Sequence, residues 1–397
     1  MSSLLKNKAL WSLTLGHFSI DLFSGALPIV LLFIKDTLAL SLEQTGAIIG
    51  LYSISTSLAQ PLFGYLSDAR GGRWFAVGGL IWMSILHGLV GLMPSYGMVL
   101  LVAVVAGLGS AAFHPQGASG ANVAAGDRRQ AGVAMFMVGG NIGYAVGPAL
   151  AGVILTALGT RGTLVLALIG LAIAPILYTL TRPSASATAA TAQAPRKANW
   201  RISLNPAFST LAVIALVTAM SLRAWSQQSF TSFLPQYFTD FASFTHNEAG
   251  TLSFIMLLGL AGGSLVGGLL ADRFGPKRVM IASLLVSAPL MALLVLTRDS
   301  RAYLLAPFLG FASGAAWPPM LVMSQTLFHK NAGVGTGIAL GFVFAMGGVG
   351  ASLTGWLAEP ERLGLATAIL LLSVIPVVNV LAVSRLPSEK DLRGEAA

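Results

Sequence analysis

The 397-residue sequence contains no cysteine and few charged residues. The lack of cysteine excludes disulfides, thiol nucleophiles and thiolate-bound metal sites. Asp, Glu, Lys and Arg make up 9% of the chain, against about 25% in a typical soluble domain, while hydrophobic residues make up 55%. Such a chain cannot cover itself with a surface that suits water.

Apolar stretches of roughly 20 residues recur along the sequence, which is the length that crosses about 30 Å of hydrocarbon as a helix. The first stretch is too long for the core of a signal peptide and lacks a small-x-small cleavage site, which favours its retention. The sequence therefore predicts an all-α polytopic membrane protein. Its twelve predicted spans start near residues 10, 44, 74, 97, 130, 163, 206, 247, 278, 302, 333 and 364.

The formal net charge is +9, which invites comparison with nucleic-acid-binding proteins. With the N-terminus inside, 17 of the 23 Lys and Arg residues fall in inner loops and tails and 5 in outer loops. This bias follows the positive-inside rule and places both termini in the cytoplasm. The basic charge thus predicts topology, and a nucleic-acid partner is not expected.

The chain divides into two related halves. A stretch rich in Ala, Ser and Thr at 182–204 predicts a cytoplasmic linker between bundles at 1–181 and 205–397. "GYLSDARGGR" (64–73) after span 2 matches "GGLLADRFGPKR" (267–278) after span 8 at an offset of 204. "GLGSAAFHP" and "GFASGAAWPP" match at an offset of 203, pairing Pro115 with Pro318. Two matches at nearly one offset indicate an internal repeat of six spans.

The repeated pattern Gly-x-Leu-x-Asp-x-x-Gly-x-Arg/Lys resembles the signature loop of the major facilitator superfamily. That resemblance covers essentially the whole chain and implies twelve helices in two pseudo-symmetric six-helix bundles. More narrowly, "GHFSIDLFSG", "GSAAFHPQG", "FMVGGNIGYAVGP" and "GFVFAMGGVGASLTG" resemble the fosmidomycin-resistance-type exporters. This implies a proton-coupled antiporter that exports small drug-like or anionic compounds and works as a monomer in the bacterial cytoplasmic (inner) membrane.

The two signature loops are candidates for a cytoplasmic gate. The resemblance implies that Asp68 faces the N-terminal end of span 11 and Asp272 that of span 5, closing the cytoplasmic side in the outward-open state. A plain solvated turn is the alternative. The gate candidates are Gly64, Asp68, Gly71, Arg73, Gly268, Asp272, Gly275 and Lys277.

Span 5 carries "GYAVGPALAG", in which Gly143, Gly147, Pro148 and Gly152 form a thin helix surface. The stretch resembles the antiporter signature of the superfamily, with Ala151 in place of one glycine. We expect it to pack tightly on the glycine-rich segment 259–268 of span 8. Ordinary packing of small residues, common between membrane helices, is the alternative.

His17 and Asp21 lie four residues apart in span 1 and therefore share one face of a helix. An ionised carboxylate is costly in hydrocarbon, so Asp21 is expected to face water and substrate in the cavity that span 1 lines in this fold. There it can bind and release a proton, and the imidazole can bond to it. The competing interpretation is a static pair that braces span 1.

Four side chains of span 7 and two of span 4 complete the candidate site. Arg223 is the one basic residue placed within a span, where it either binds an anionic substrate in the central cavity or extends to the interface. In span 4, His114 is either a titrating group or a buried, satisfied histidine. Gln116 stands where the exporter pattern has a glutamate, which removes a titrating group there. The further candidates for substrate contact are Trp225, Gln227, Gln228 and Gln116.

The sequence shows no phosphate-binding loop, no convincing Ser-His-Asp set and no metal-ligand cluster, so we expect neither an enzyme nor a cofactor. The expected partners are a small-molecule substrate, protons and membrane lipid. Two alternatives to export stay open: an importer of a small metabolite, and a transport-inactive membrane receptor or scaffold.

Overall fold

The computed structural model describes residues 6–70, 72–181, 205, 208–327 and 332–387, which form helices and turns without a β-strand. Among these residues, twelve helical segments, three of them interrupted, each begin within four residues of a predicted start, which confirms the twelve predicted helices. The predicted linker lies outside the described residues. The N-terminal helices are α1 Lys8–Leu38, α2 Leu42–Leu58 with Gln60–Arg70, α3 Gly72–Val90, α4 Tyr96–Ala124, α5 Arg129–Leu158 and α6 Thr163–Leu180. The C-terminal helices are α7 Thr210–Phe241, α8 His246–Phe274, α9 Pro276–Leu296, α10 Ala302–Ala315 with Trp317–Leu327, α11 Ala332–Leu357 and α12 Leu365–Leu372 with Val374–Ser384.

Among the described residues, eight stretches are long and apolar enough to cross a membrane, and the one at 131–180 contains both α5 and α6. Helices α2, α7 and α11 are not among these stretches. Helix α7 is rich in Ser, Thr and Gln, as expected of a helix that packs inside a bundle and not only against lipid.

Side-chain caps fix where the second helix of each half begins. Ser41 and Gln44 form a capping box at the start of α2, and Thr245 and Glu248 form another at the start of α8. Each pair is related to the other by 204 residues, the offset that relates Asp68 to Asp272. The internal repeat therefore extends to helix caps that the sequence comparison did not include.

The repeated motifs also make equivalent contacts. An ideal Cβ position at Gly64 lies 3.9 Å from Cβ of Pro115, and one at Gly268 lies 3.8 Å from Cβ of Pro318. In each half, the second and fourth helices therefore approach each other closely at the same position of the repeat.

Two basic residues at equivalent positions bind the end of the last helix of their own half. Arg73 donates a hydrogen bond to the carbonyl oxygen of Tyr178 and lies 3.8 Å from the centre of its ring. Lys277 donates to the carbonyl oxygen of Leu386 at 2.7 Å, just after α12. Cations are favoured there because the C-terminal carbonyls of a helix are unpaired and carry partial negative charge.

The two halves meet at the end that the charge distribution predicts to be outer. Among the described residues, His246 Nε2 of α8 lies 3.1 Å from a carboxylate oxygen of Asp36, and Arg362 forms an ion pair with Glu43 at 3.0 Å. Beneath the second pair, Gly50 of α2 lies against the backbone of Gly348 in α11. The predicted outer end is therefore closed by contacts between α1 and α8 and between α2 and α11.

Candidate functional site

Three titratable side chains converge inside the N-terminal half. His17 Nε2 lies 3.1 Å from Asp21 Oδ2, and His114 Nε2 lies 3.2 Å from Asp21 Oδ1. The i, i+4 spacing along α1 confirms the predicted contact of His17 with Asp21. The Asp21 and His114 side chains are 22% and 25% exposed, so the cluster is not sealed in dry protein.

Hydrogen bonding fixes where protons can sit in this cluster. His17 Nδ1 lies 2.8 Å from the carbonyl oxygen of Phe136, which can only accept, so Nδ1 carries a hydrogen. In a neutral ring Nε2 then has no hydrogen, and its lone pair would face a carboxylate oxygen. A favourable contact needs one more proton, held either by the imidazole or by Asp21.

His114 is less restricted. Its Nδ1 lies 2.9 Å from the carbonyl oxygen of Ser110 and 3.1 Å from the hydroxyl of the same residue. The ring can donate to the carbonyl or accept from the hydroxyl, so it can face Asp21 either as a cation or as a neutral donor. The cluster can thus gain or lose a proton without a large movement of α4.

Close approach of α5 holds this cluster in place. His17 stacks on Phe136 with ring centroids 4.0 Å apart. A Cβ at Gly140 would lie 2.5 Å from His17 Nε2 and 2.6 Å from Asp21 Oδ2. Any residue other than glycine would therefore clash with this pair. Helix α5 therefore covers the His17–Asp21 contact with backbone.

Helix α5 packs on α8, as predicted, but two of its glycines face another helix. A Cβ at Gly143 would overlap the carbonyl oxygen of Phe18, and one at Gly147 that of Leu22, so both glycines pack on α1. The glycine-rich segment 259–268 packs instead on α10, where a Cβ at Gly263 would overlap the carbonyl oxygen of Phe311. Small residues every four positions allow close approach to any helix, and the spacing alone does not identify which one.

Pro148 and Gly152 of the predicted stretch lie against α8. A Cβ at Gly152 would lie 3.1 Å from Cα of Asn247, and one at Gly250 would lie 2.5 Å from the carbonyl oxygen of Pro148. These contacts join the two halves at the predicted outer end.

Arg223 does not face the N-terminal half. It borders a cavity lined by residues of α7 to α10 and α12, all in the C-terminal half. Its Nη2 donates to the carbonyl oxygen of Ser313 at 3.3 Å, and its guanidinium lies 4.9 Å from the Trp317 ring centre. Its expected place in a cavity between the halves is therefore wrong, and an extended path to the interface is not seen either. Gln227, one turn further, borders the same cavity.

Of the other polar candidates, Trp225 and Gln116 bind neighbouring helices and Gln228 bonds within its own helix. Trp225 Nε1 donates to Thr354 Oγ1 of α11 at 2.9 Å, and Gln228 Nε2 donates to Ser232 at 3.1 Å. Gln116 donates to the hydroxyl of Ser67 in α2. A helix turns by 100° per residue, so Arg223 and Trp225 point in opposite directions, as their spacing requires.

The cytoplasmic gate is not engaged among the described side chains. Asp272 is exposed and forms no ion pair with a described residue, while Gly71 and the side chain of Asp68 lie outside the described part. Gly275 ends α8 at φ 88°, a conformation that favours glycine. The cytoplasmic gate is expected to close only when the outer end is open, so its role stays a prediction.

His17, Asp21 and His114 are also close enough together to bind a metal ion, since their potential ligand atoms lie within 4.8 Å of one another. The sequence did not predict this. Protons and a metal ion would compete for the same Nε2 atoms, so a chelator belongs among the controls of any proton assay. Asn141, exposed on α5 beside Gly140, is a polar residue that the sequence analysis did not single out; its signal was an amide inside an apolar run.

Comparison with known proteins decides the family. The sequence profile of the Major Facilitator Superfamily matches residues 13–242 and 216–396. The chain belongs to this superfamily. As a superfamily member it is a membrane transporter and not an enzyme.

Two curated relatives match this superfamily member over nearly their full length. An uncharacterized MFS-type transporter, YfnC of Bacillus subtilis, is 31% identical over 95% of this chain and 92% of its own. The fosmidomycin resistance protein of Escherichia coli is 27% identical over 94% of this chain and 91% of its own.

Solved structures confirm the major facilitator fold. A bacterial homologue of the human lysosomal transporter Spinster, inward-facing and unoccupied, superimposes with a TM-score of 0.79 at 17% identity, covering 95% of this chain and 97% of that one. The nucleoside transporter NupG superimposes with a TM-score of 0.77 at 16% identity, covering 95% and 98%.

Proposed function

We propose that this transporter is a proton-coupled antiporter that exports small drug-like or anionic compounds by alternating access. The observation that carries the proposal is the partly exposed His17–Asp21–His114 cluster, whose contacts require an added proton. The similarity to a protein named for fosmidomycin resistance supports a drug-like substrate. We further propose a monomer in a bacterial inner membrane, with both termini cytoplasmic.

The cluster offers a physical link between protonation and helix position. With the extra proton, His17 and Asp21 attract each other, and the carboxylate bridges α1 to α4 through His114. Without it, a lone pair of His17 Nε2 faces the carboxylate, which disfavours the same packing. Gly140 of α5 covers the His17–Asp21 contact, and α5 also packs on α8. A change in that contact on protonation would therefore move α5 and act on its packing against α8.

In this proposal, the proton gradient and the membrane potential supply the free energy for export. Moving one charge across the membrane releases about 2.3 kcal/mol per 100 mV, in addition to the pH gradient. Protons that reach the cluster when the outer end is open, and leave when it is closed, would drive solute in the opposite direction. In this structure the two halves are in contact at the predicted outer end. This corresponds to the stage at which the outer end is closed and protons would leave the cluster.

The test is transport in proteoliposomes with fosmidomycin as the probe and an internal pH dye. We expect Asp21→Asn to fold with an unchanged elution profile and thermal transition, but to lose at least about tenfold of pH-driven flux, as removal of a shared proton site predicts. Asp240→Asn is the matched control, because that aspartate also accepts a hydrogen bond, from Gln236 at 2.6 Å, but lies near the outer end of α7. It should keep the wild-type rate.

Four results would count against the proposal. Wild-type flux in Asp21→Asn would remove the cluster from coupling. Movement of probe and protons in the same direction would identify a symporter, hence an importer. Binding of the probe without any flux would favour a receptor. Flux that EDTA abolishes would assign the cluster to a metal ion.

A further inference from the structure

The C-terminal half contains a cation without a counter-charge. Arg223 Nε is buried and has no hydrogen-bond partner, and Nη2 makes only the 3.3 Å bond to Ser313. None of the ion pairs among the described residues includes Arg223. The Arg223 side chain is half-buried, and taking part of its charge out of water has a free-energy cost that the ring of Trp317 offsets only in part.

A small cavity, whose largely apolar wall carries several polar side chains, adjoins this guanidinium. Its volume is about 30 Å³, and no acid lines it. Since one water molecule needs roughly 10–15 Å³ by this measure, the cavity holds about two water-sized particles. A whole organic substrate does not fit. The polar side chains at its wall are Ser226, Gln227, Ser283, Ser287, Ser313 and Asn379.

The polar atoms at the cavity that lack a hydrogen-bond partner determine what the cavity can bind. Asn379 Nδ2 donates to the carbonyl oxygen of Ala219 at 3.0 Å, which fixes the amide, and its Oδ1 is buried without a donor. The cavity therefore has an unpaired donor with positive charge at Arg223 and an unpaired acceptor at Asn379. One anion and one water satisfy both, because a water can donate one hydrogen to Oδ1 and the other to the anion.

We propose that this cavity binds a small inorganic anion of halide size as the counter-ion of Arg223. The site lies within the C-terminal bundle, lined by α7 to α10 and α12, and does not border the His17–Asp21–His114 cluster. The inference goes beyond the proposed antiport and does not depend on it. The competing occupant is water alone, which would hydrate the guanidinium without any response to anions.

The test is the thermal transition of the purified chain in detergent at constant ionic strength, as gluconate is replaced by chloride or bromide. We expect the wild-type transition temperature to rise saturably by several degrees, because an ion that binds only the folded state stabilises it. Arg223→Gln should lose the response. Arg298→Gln is the matched control: Arg298 also lies over an aromatic ring, Phe241 at 5.6 Å, but it is exposed and its Nε donates to Tyr237.

A second variant keeps the test decisive if Arg223→Gln does not fold. Asn379→Asp places a carboxylate at the same cavity, so it should replace the anion, with a transition that is higher in gluconate and does not respond to chloride. Bromide should also give an anomalous density peak beside Arg223 in wild-type crystals. A wild-type transition that is equal in gluconate and chloride would overturn the proposal, as would an Asn379→Asp variant with the full wild-type response.

Discussion

The contact between α1 and α5 can be tested by adding a single methyl group. Gly143→Ala would place Cβ 2.8 Å from the carbonyl carbon of Phe18 and 2.9 Å from its Cα, in addition to the overlap with the carbonyl oxygen. Carbon atoms at optimal separation are about 3.5–4.0 Å apart, so the two helices would have to separate by roughly 1 Å. Both partners are helical backbone, so a change of rotamer cannot relieve the clash.

The expected cost is that of an overpacked core, about 1–3 kcal/mol. Alanine is a better helix former than glycine by about 1 kcal/mol, which offsets part of it. Gly78→Ala isolates that second effect, because a Cβ at Gly78 in α3 has no atom within 4 Å. We expect Gly143→Ala to lower the apparent thermal transition and Gly78→Ala to leave it equal or slightly higher.

The measurement is the transition temperature of both purified variants in one detergent and at one heating rate, because unfolding of a protein this size can depend on the rate. Separation of α1 from α5 would also disturb the His17–Asp21 contact beneath Gly140, so pH-driven flux should fall in Gly143→Ala only. Equal transitions for the two variants would refute the packing argument. Loss of flux in both would show that the substitutions act on something other than this contact.

Two further predictions concern the predicted outer end and the cytoplasmic loop. Glu43→Gln removes the ion pair with Arg362; exposed pairs contribute about 0.2–1 kcal/mol, so the population with an open outer end should rise by about fivefold at most. Spin labels on cysteines introduced at Thr37 and Glu361 would report the population with an open outer end. A distance distribution unchanged by Glu43→Gln would contradict the prediction. Gly275→Ala forces a Cβ into φ 88° and should cost about 1–2 kcal/mol in the thermal transition, whereas a transition equal to wild type would refute the strain.

Local pattern was enough to predict much of this molecule. The length and recurrence of apolar stretches gave twelve spans, and each helix begins within four residues of its predicted start. The 204-residue repeat holds for capping boxes and for the contacts of Gly64 and Gly268, because both halves use the same residues for the same local geometry. The contact of His17 with Asp21 was predictable since it lies within one turn of one helix.

Contacts between helices could not be predicted in this way. Gly143 and Gly147 were expected on α8 and lie on α1, since a small-residue face records how closely a neighbour approaches but not which neighbour it is. Arg223 was expected between the halves and lies inside one of them, because its direction depends on the rotation of α7 about its own axis. The proximity of His114 to Asp21 required α4 to be placed beside α1.

The sequence by itself determined the class of protein, the number of spans, the repeat and the acid in the first helix, since these follow from hydropathy, period and offset along one chain. The tertiary structure alone decided that two histidines flank that acid, that α5 packs on α1, and that the arginine of α7 forms no ion pair with a described residue. The physical reason is that helix pairing is set by shape complementarity between surfaces distant in sequence. In membranes these surfaces are built from the same few small residues in every helix.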